Sequence, residues 1–240
     1  MSVMSRRADF ALAVPPDWCS LTRLDPAGVD EALAGWAGAV EELASFRGEV
    51  RAMLESEVAR VAEAGGIGLV ACAFLDCQHL VTGTAGVFVV PNPFAGADGS
   101  PVVDASTLAE LANTELAPDV SGRGNPSSRR FNAVAVALRG DGTAEVPAMR
   151  VRMLATVPAR TRAAGSAHAA AGEAGGVAHA GEVGVDRVQH FVPILPDGRD
   201  VLVLDFLTPF LAFSDELIGQ WEKVVDTFRW VPEGSIEPTG

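Results

Sequence analysis

Asp205 is a carboxylate set in the run VLVLDFLT, Val201–Thr208, with Leu204 before it and Phe206 after it. A charge in such a run must be paired, hydrogen-bonded or protonated, because burying a bare carboxylate is too costly for a fold to absorb. One reading is a perturbed acid lining a cleft, with His190 on the preceding strand near that cleft as a candidate base. The other is a structural ion pair with Arg150 or Arg152, or a position near the strand end that water reaches. His190, between Gln189 and Phe191, equally reads as a sheet histidine whose hydrogen bonds are satisfied. A second cluster, Arg123, Arg129 and Arg130 around Gly124-Asn125-Pro126, makes a small basic loop in an acidic chain. It could hold an anionic group, or be a solvated loop.

Other chemistry-bearing residues lack the right framework. His168, Glu173 and His179 could meet a metal, but they lie in an Ala/Gly tract with no rigid element to hold ligand geometry. Gly65-Gly66-Ile67-Gly68 precedes a strand, whereas dinucleotide binding needs strand, glycines and then helix. GxSxG, HExxH and P-loop patterns are absent. Cys19, Cys72 and Cys77 form no CxxC or His-spaced pattern and read as small hydrophobes in or near the core. No catalytic residue, metal or cofactor is therefore expected.

The net charge of −13 over 240 residues disfavours nonspecific binding to nucleic acid or to an anionic membrane. No apolar run reaches membrane-spanning length. Lys223 is the only Lys among 18 basic residues and Tyr is absent, the bias of a GC-rich, bacterial coding sequence. MSVMSRRADFALAV has too short an apolar run for a signal peptide, so a cytoplasmic protein is expected.

The elements that must position these residues centre on the C-terminal third. Val185–Ile194 and Val201–Thr208 read as a hairpin across Pro196-Asp197-Gly198, and the second strand, apolar on both faces, reads as central. Ser214 can cap a helix in which Leu217, Ile218, Trp221, Val224, Val225 and Phe228 recur at helical spacing, with Trp221 at the centre of the apolar face. Arg129–Leu138 and Glu145–Val157 extend the hairpin into an antiparallel meander. Upstream, Phe10–Val14 reads as a short strand before the Pro15-Pro16 turn, with Trp18 as an anchor. Asp25-Pro26 opens a long helical segment, 25–64, that would span about 50 Å unbroken and so should break near Ser45–Gly48. Ile67–Leu75 and Val87–Val90 read as strands, and Asp104 or Ser106 caps a helix through Leu116. Residues 159–184 form the Ala/Gly-rich tract, read as a flexible loop insert, and 233–240 a tail. The fold class is α+β, a mainly antiparallel sheet with helices packed on it in one domain.

The opening FALAVPPDW and the closing strand, Thr208-Pro209 and helix ending in VVDTFRW resemble the PsbP-like α/β/α sandwich superfamily, which includes actinobacterial LpqN-type lipoproteins. The resemblance implies a sandwich fold and a partner-binding or assembly-assisting role, with no shared catalytic set. It covers the two ends of the chain; the 25–64 helices and the Ala/Gly tract depart from it. The expected function is thus non-catalytic protein binding, with another protein or a second copy as partner. The alternative is a small-molecule binder or enzyme with a cleft near Asp205 and His190.

Overall fold

The computed structural model describes residues 10–39, 41–77, 79–94, 100–102, 104–115, 132–139, 145–158, 182–194 and 198–231. Strands β1 (Phe10–Ala11), β2 (Trp18–Leu21), β3 (Gly68–Asp76), β4 (His79–Pro91), β5 (Asn132–Leu138), β6 (Val146–Pro158), β7 (Glu182–Pro193), β8 (Asp200–Thr208) and β9 (Arg229–Trp230) alternate with helices α1 (Pro26–Ala39), α2 (Arg47–Glu63), α3 (Ala105–Glu115) and α4 (Ser214–Val225). Seven strands pair antiparallel in the order β2-β3-β4-β8-β7-β6-β5, and β1 pairs with β9 apart from them.

β8 is central, between β4 and β7, which explains why its residues are apolar on both sides. Successive side chains on a strand point to opposite faces. Even-numbered residues of β7 and β8 (Val188, Val192, Leu202, Leu204, Phe206) meet α4 through Leu217, Ile218, Trp221, Val224 and Val225. Odd-numbered ones face the other helices. There α1 and α2 cover β2, β3 and β4 through Leu33, Trp36, Leu54 and Val61, with Val201 and Val203 of β8. α3 covers β5 and β6 through Leu108, Ala112, Met149 and Val151.

Local chemistry explains the helix starts. Asp25 Oδ1 accepts the Gly28 N–H at 2.8 Å, with Pro26 at the first helical position. Asp104, rather than Ser106, caps α3 by accepting the Thr107 N–H at 2.7 Å. Ser214 does not cap α4. It is the helix's first residue, and its hydroxyl donates to Leu211 O at 3.0 Å across a 3-10 turn, Leu211–Phe213.

Several expectations need correction. The long N-terminal helical segment is not one long helix but two, and the break between them starts earlier than Ser45–Gly48. α1 ends at Ala39, a 3-10 turn runs over Glu41–Phe46, and α2 follows at once. Gly35 and Gly38 weaken the last turns of α1, and the reversal lets Trp36, Leu43 and Val50 share one cluster. The strand expected at Val87–Val90 is the far half of the 13-residue β4. Its first half, HLVTGTAG, looks like a turn but needs its glycines, because a Cβ at Gly83 would stand 2.5 Å from the Phe206 ring and one at Gly86 2.6 Å from Phe88. Trp18 is not only an anchor but the first residue of edge strand β2, while the Phe10–Val14 strand shrinks to β1. Cys77 is exposed in the β3–β4 turn with φ +45°, whereas burial pushes the Cys19 and Cys72 thiols up to about 12. The Ala/Gly tract loses its last three residues to β7, and 159–181 and 232–240 lie outside the described residues. Among the described residues no helix is long and apolar enough to cross a membrane.

Trp221 is fully buried at the centre of the α4 face. Trp221→Ala should cost roughly 3–5 kcal/mol and lower the urea midpoint sharply. An unchanged midpoint would mean that α4 presents this tryptophan to a partner instead of the core.

Candidate functional site

The residues singled out around Asp205 do not form one site. Asp205 is in register with Gln189, so the two share a face, and His190 lies on the opposite one. Register also places His190 between Arg150 of β6 and Leu204 of β8, on the face covered by α4. The cleft expected near Asp205 and His190 is thus divided by the sheet itself.

Asp205 is bound by neither Arg150 nor Arg152. Its partner is Arg187, two residues before Gln189 on the same face of β7. Arg187 Nε donates to Oδ1 at 2.6 Å and Nη2 to Oδ2 at 2.8 Å, the fork-to-fork geometry that gives the strongest such pairs. The Asp205 side chain is 3% exposed and that of Arg187 34%, so the arginine covers the carboxylate from solvent. Burial is the largest single influence on Arg187 and opposes its charge, but the hydrogen bonds to Asp205 and the Asp205 charge together outweigh it and raise its pKa. Beside this pair Glu57 of α2 accepts from Thr84 Oγ1 at 3.1 Å and from Arg60 Nε at 2.8 Å. Paired and 3% exposed, the Asp205 carboxylate presents no open face to a substrate.

On the α4 face, Arg150 bonds Glu222, and Arg152 bonds Asp186 (Nη2 to Oδ2, 2.6 Å) and Asp215. These contacts tie β6 to α4 and hold the Arg152 guanidinium well above its ordinary range, with Asp186 the main cause. His190 is buried beneath them, and its Nδ1 has no hydrogen-bond partner. Burial first, and then the Arg150 charge, pull its pKa down to about 3. At neutral pH it is uncharged and sealed from solvent, a poor proton carrier. The anion loop of Arg123, Arg129 and Arg130 lies outside the described residues. Among the described residues no cluster of His, Cys, Asp or Glu could hold a metal ion.

An open cleft lies elsewhere, between β2 and α1, with a volume of about 370 Å³ and Pro16, Ser20, Arg23, Glu31 and Gly35 among its lining. α1 buries Val29, Leu33 and Trp36 in the core and turns Gly28, Ala32 and Gly35 to the cleft, where the lack of side chains leaves it open. Asp25 anchors one end, accepting from both the Gly28 N–H and Arg23 Nη2 (3.0 Å). Trp36 anchors the middle, its Nε1 donating to Asp17 O at 2.8 Å. Among the described residues β2 pairs with β3 on one side only. The Trp18 N–H turns back to Pro15 O at 3.0 Å instead of joining the ladder, so antiparallel alternation leaves the Ser20 N–H and C=O pointing outward too. The cleft's signal in the sequence is the spacing Gly28, Ala32, Gly35, a small-residue stripe beside the apolar one. The signal for Arg187 is its place on the Asp205 face, which can be seen only once the register is known.

Two expectations follow. Arg187→Met leaves the Asp205 carboxylate buried without its partner and should cost about 3–5 kcal/mol in a denaturant melt, and replacing both residues with Leu should recover most of it. For His190, folding depresses the pKa from 6.5 to about 3, so the unfolded chain binds the extra proton between those values. Its contribution is fully present above pH 6.5 and is lost as pH falls, by about 3 kcal/mol between pH 7 and pH 4. His190→Leu should remove that part of the slope; an identical pH dependence in wild type and variant would refute it.

No protein-family model, no curated protein and no solved structure matches the chain.

Proposed function

We propose that this protein is a non-catalytic binding module that takes an extended segment of a partner protein along the outer edge of β2, against α1. One observation carries this reading: a cleft of about 370 Å³ opens onto an unpaired strand edge. An added strand gains affinity from main-chain hydrogen bonds and specificity from alternate side chains seated in pockets. Here Ser20 supplies the outward backbone pair, and the bare side of α1 leaves room for side chains. Arg23 and Glu31 put one charge of each sign at the lining, which suits a polar peptide with small residues toward the helix. The resemblance of the chain's two ends to the PsbP-like superfamily points the same way, since its members mostly bind partners or assist assembly. In this reading the protein acts in the cytoplasm of a GC-rich bacterium, and its ion pairs hold the sheet together and take no part in a reaction.

Gly35 provides the test. Nothing lies within 4 Å of where its Cβ would stand, so Gly35→Phe should fill the groove without touching the buried side of α1. A random peptide library selected on the full-length chain should yield extended peptides whose binding drops at least roughly tenfold in Gly35→Phe, a loss of about 1.4 kcal/mol, at an unchanged melting temperature. Selection of no peptide, or of peptides that bind the variant equally well, would overturn the reading.

A further inference from the structure

β5 is the sheet's other edge, at the far end from β2. Its seven residues, NAVAVAL, carry no charge and no proline, the features by which edge strands usually avoid pairing. Ala135 and Ala137 are exposed, and Val134 and Val136 half-buried. At one residue the outer backbone is already occupied. Asn113 of α3 donates Nδ2 to Ala133 O at 2.8 Å and accepts the Ala133 N–H on Oδ1 at 3.1 Å, so its amide stands in for one residue of a neighbouring strand. Since Ala133 turns both groups outward, antiparallel alternation turns Ala135 and Ala137 outward as well and leaves Val134 and Val136 bonded to β6. Among the described residues, no backbone group pairs with that side of Ala135 or Ala137.

We propose that two copies of this chain join along β5, antiparallel about a two-fold axis at Val136, merging two seven-stranded sheets into one. In that register Val136 meets Val136 of the second copy, Ala135 exchanges both backbone bonds with Ala137, and the Asn113 contact to Ala133 is kept. Arg139, which follows the last paired residue, then comes to lie beside the Asn113 amide, on the α3 side of the sheet. Arg139 is exposed and forms no ion pair among the described residues. α3 has no basic residue in its last turn, which reads Asn113-Thr114-Glu115, so no charge within that turn offsets the negative pole of its dipole. Each copy thus supplies a cation to the helix end of the other, and the two-fold makes the contact twice. This complementarity, together with a strand that can pair with itself, selects a second copy over an unrelated chain.

The test is the mass of the full-length chain by sedimentation equilibrium. Twice 24.9 kDa is expected for the wild type. Ala135→Pro removes only an outward N–H, which an edge strand tolerates, so it should give a monomer with an unchanged circular dichroism spectrum. Arg139→Glu should weaken the dimer roughly tenfold by placing like charge at the helix end. A wild type that stays monomeric, its β5 edge open or taken by a different protein, overturns the proposal, as does a dimer that survives Ala135→Pro. Should Ala135→Pro fail to fold, Arg139→Glu decides: an unaltered dissociation constant also overturns it.

Discussion

The rest of the structure depends on the stack that holds Trp221. Its ring lies between Phe206, 5.6 Å away at 14°, and Trp18, 6.5 Å away at 9°. Phe206 belongs to the central strand and Trp18 to the edge strand, so one helical side chain fixes α4 over the sheet and fixes how far β2 lies from β8. The intervening strands must be thin there, and Gly83 of β4 makes room for Phe206. A second set of ring contacts, Phe10 stacked on Phe228 (5.8 Å) and Phe228 edge-on to Trp230 (4.9 Å), holds β1 and β9 together. The indole Nε1 of Trp221 has no hydrogen-bond partner, a desolvation cost set against the large area the ring buries.

Charge follows from the same layering. Once both faces of the sheet are covered, any ionisable group on a central strand must find a partner within the protein or stay neutral, as His190 does. On the α4 face, Arg150 and Arg152 reach Glu222 and Asp215 of the helix and Asp186 of β7. On the opposite face Asp205 and Arg187 pair across neighbouring strands, in the gap between the parts of the sheet covered by α1 and α2 and by α3. Such pairs contribute little net stability relative to apolar residues, but breaking one is costly, so they favour the register that keeps them intact. A one-residue slip of β7 against β8 would put Arg187 and Asp205 on opposite faces.

How much of this was legible depended on whether the signal was local. The β5-β6-β7-β8 meander and α4 could be read because their apolar spacing is set by the faces they bury. β2 and the first half of β4 could not, because their extended form depends on distant packing. Trp18-Cys19-Ser20-Leu21 is a strand because β3 is beside it, and Gly83 and Gly86 are needed because Phe206 and Phe88 lie against their backbone. Among the candidate polar residues, the need for a partner at Asp205 was visible, but the identity of that partner was not, since Arg187, Arg150 and Arg152 differ only in face and register. The β2–α1 cleft was hidden for a related reason. It is made by small side chains, and Gly28, Ala32 and Gly35 read as no more than two weak helix formers around a strong one until a strand is placed opposite them.

A seven-stranded open sheet has two edges, and this protein treats them differently. At β2 the strand is short, two prolines precede it, and α1 stands beside it as a wall, so an incoming segment meets a groove that limits its length and its side chains. At β5 the strand is longer and uncharged, with a single outward residue satisfied by Asn113. An edge limited by shape suits a chosen peptide, whereas a flat edge with alternating small side chains suits its own copy, since a two-fold pairing needs no second sequence to match it. Joining two copies at β5 would place a β2 groove at each outer end of the merged sheet, so that self-association would present two binding edges to a partner without consuming either.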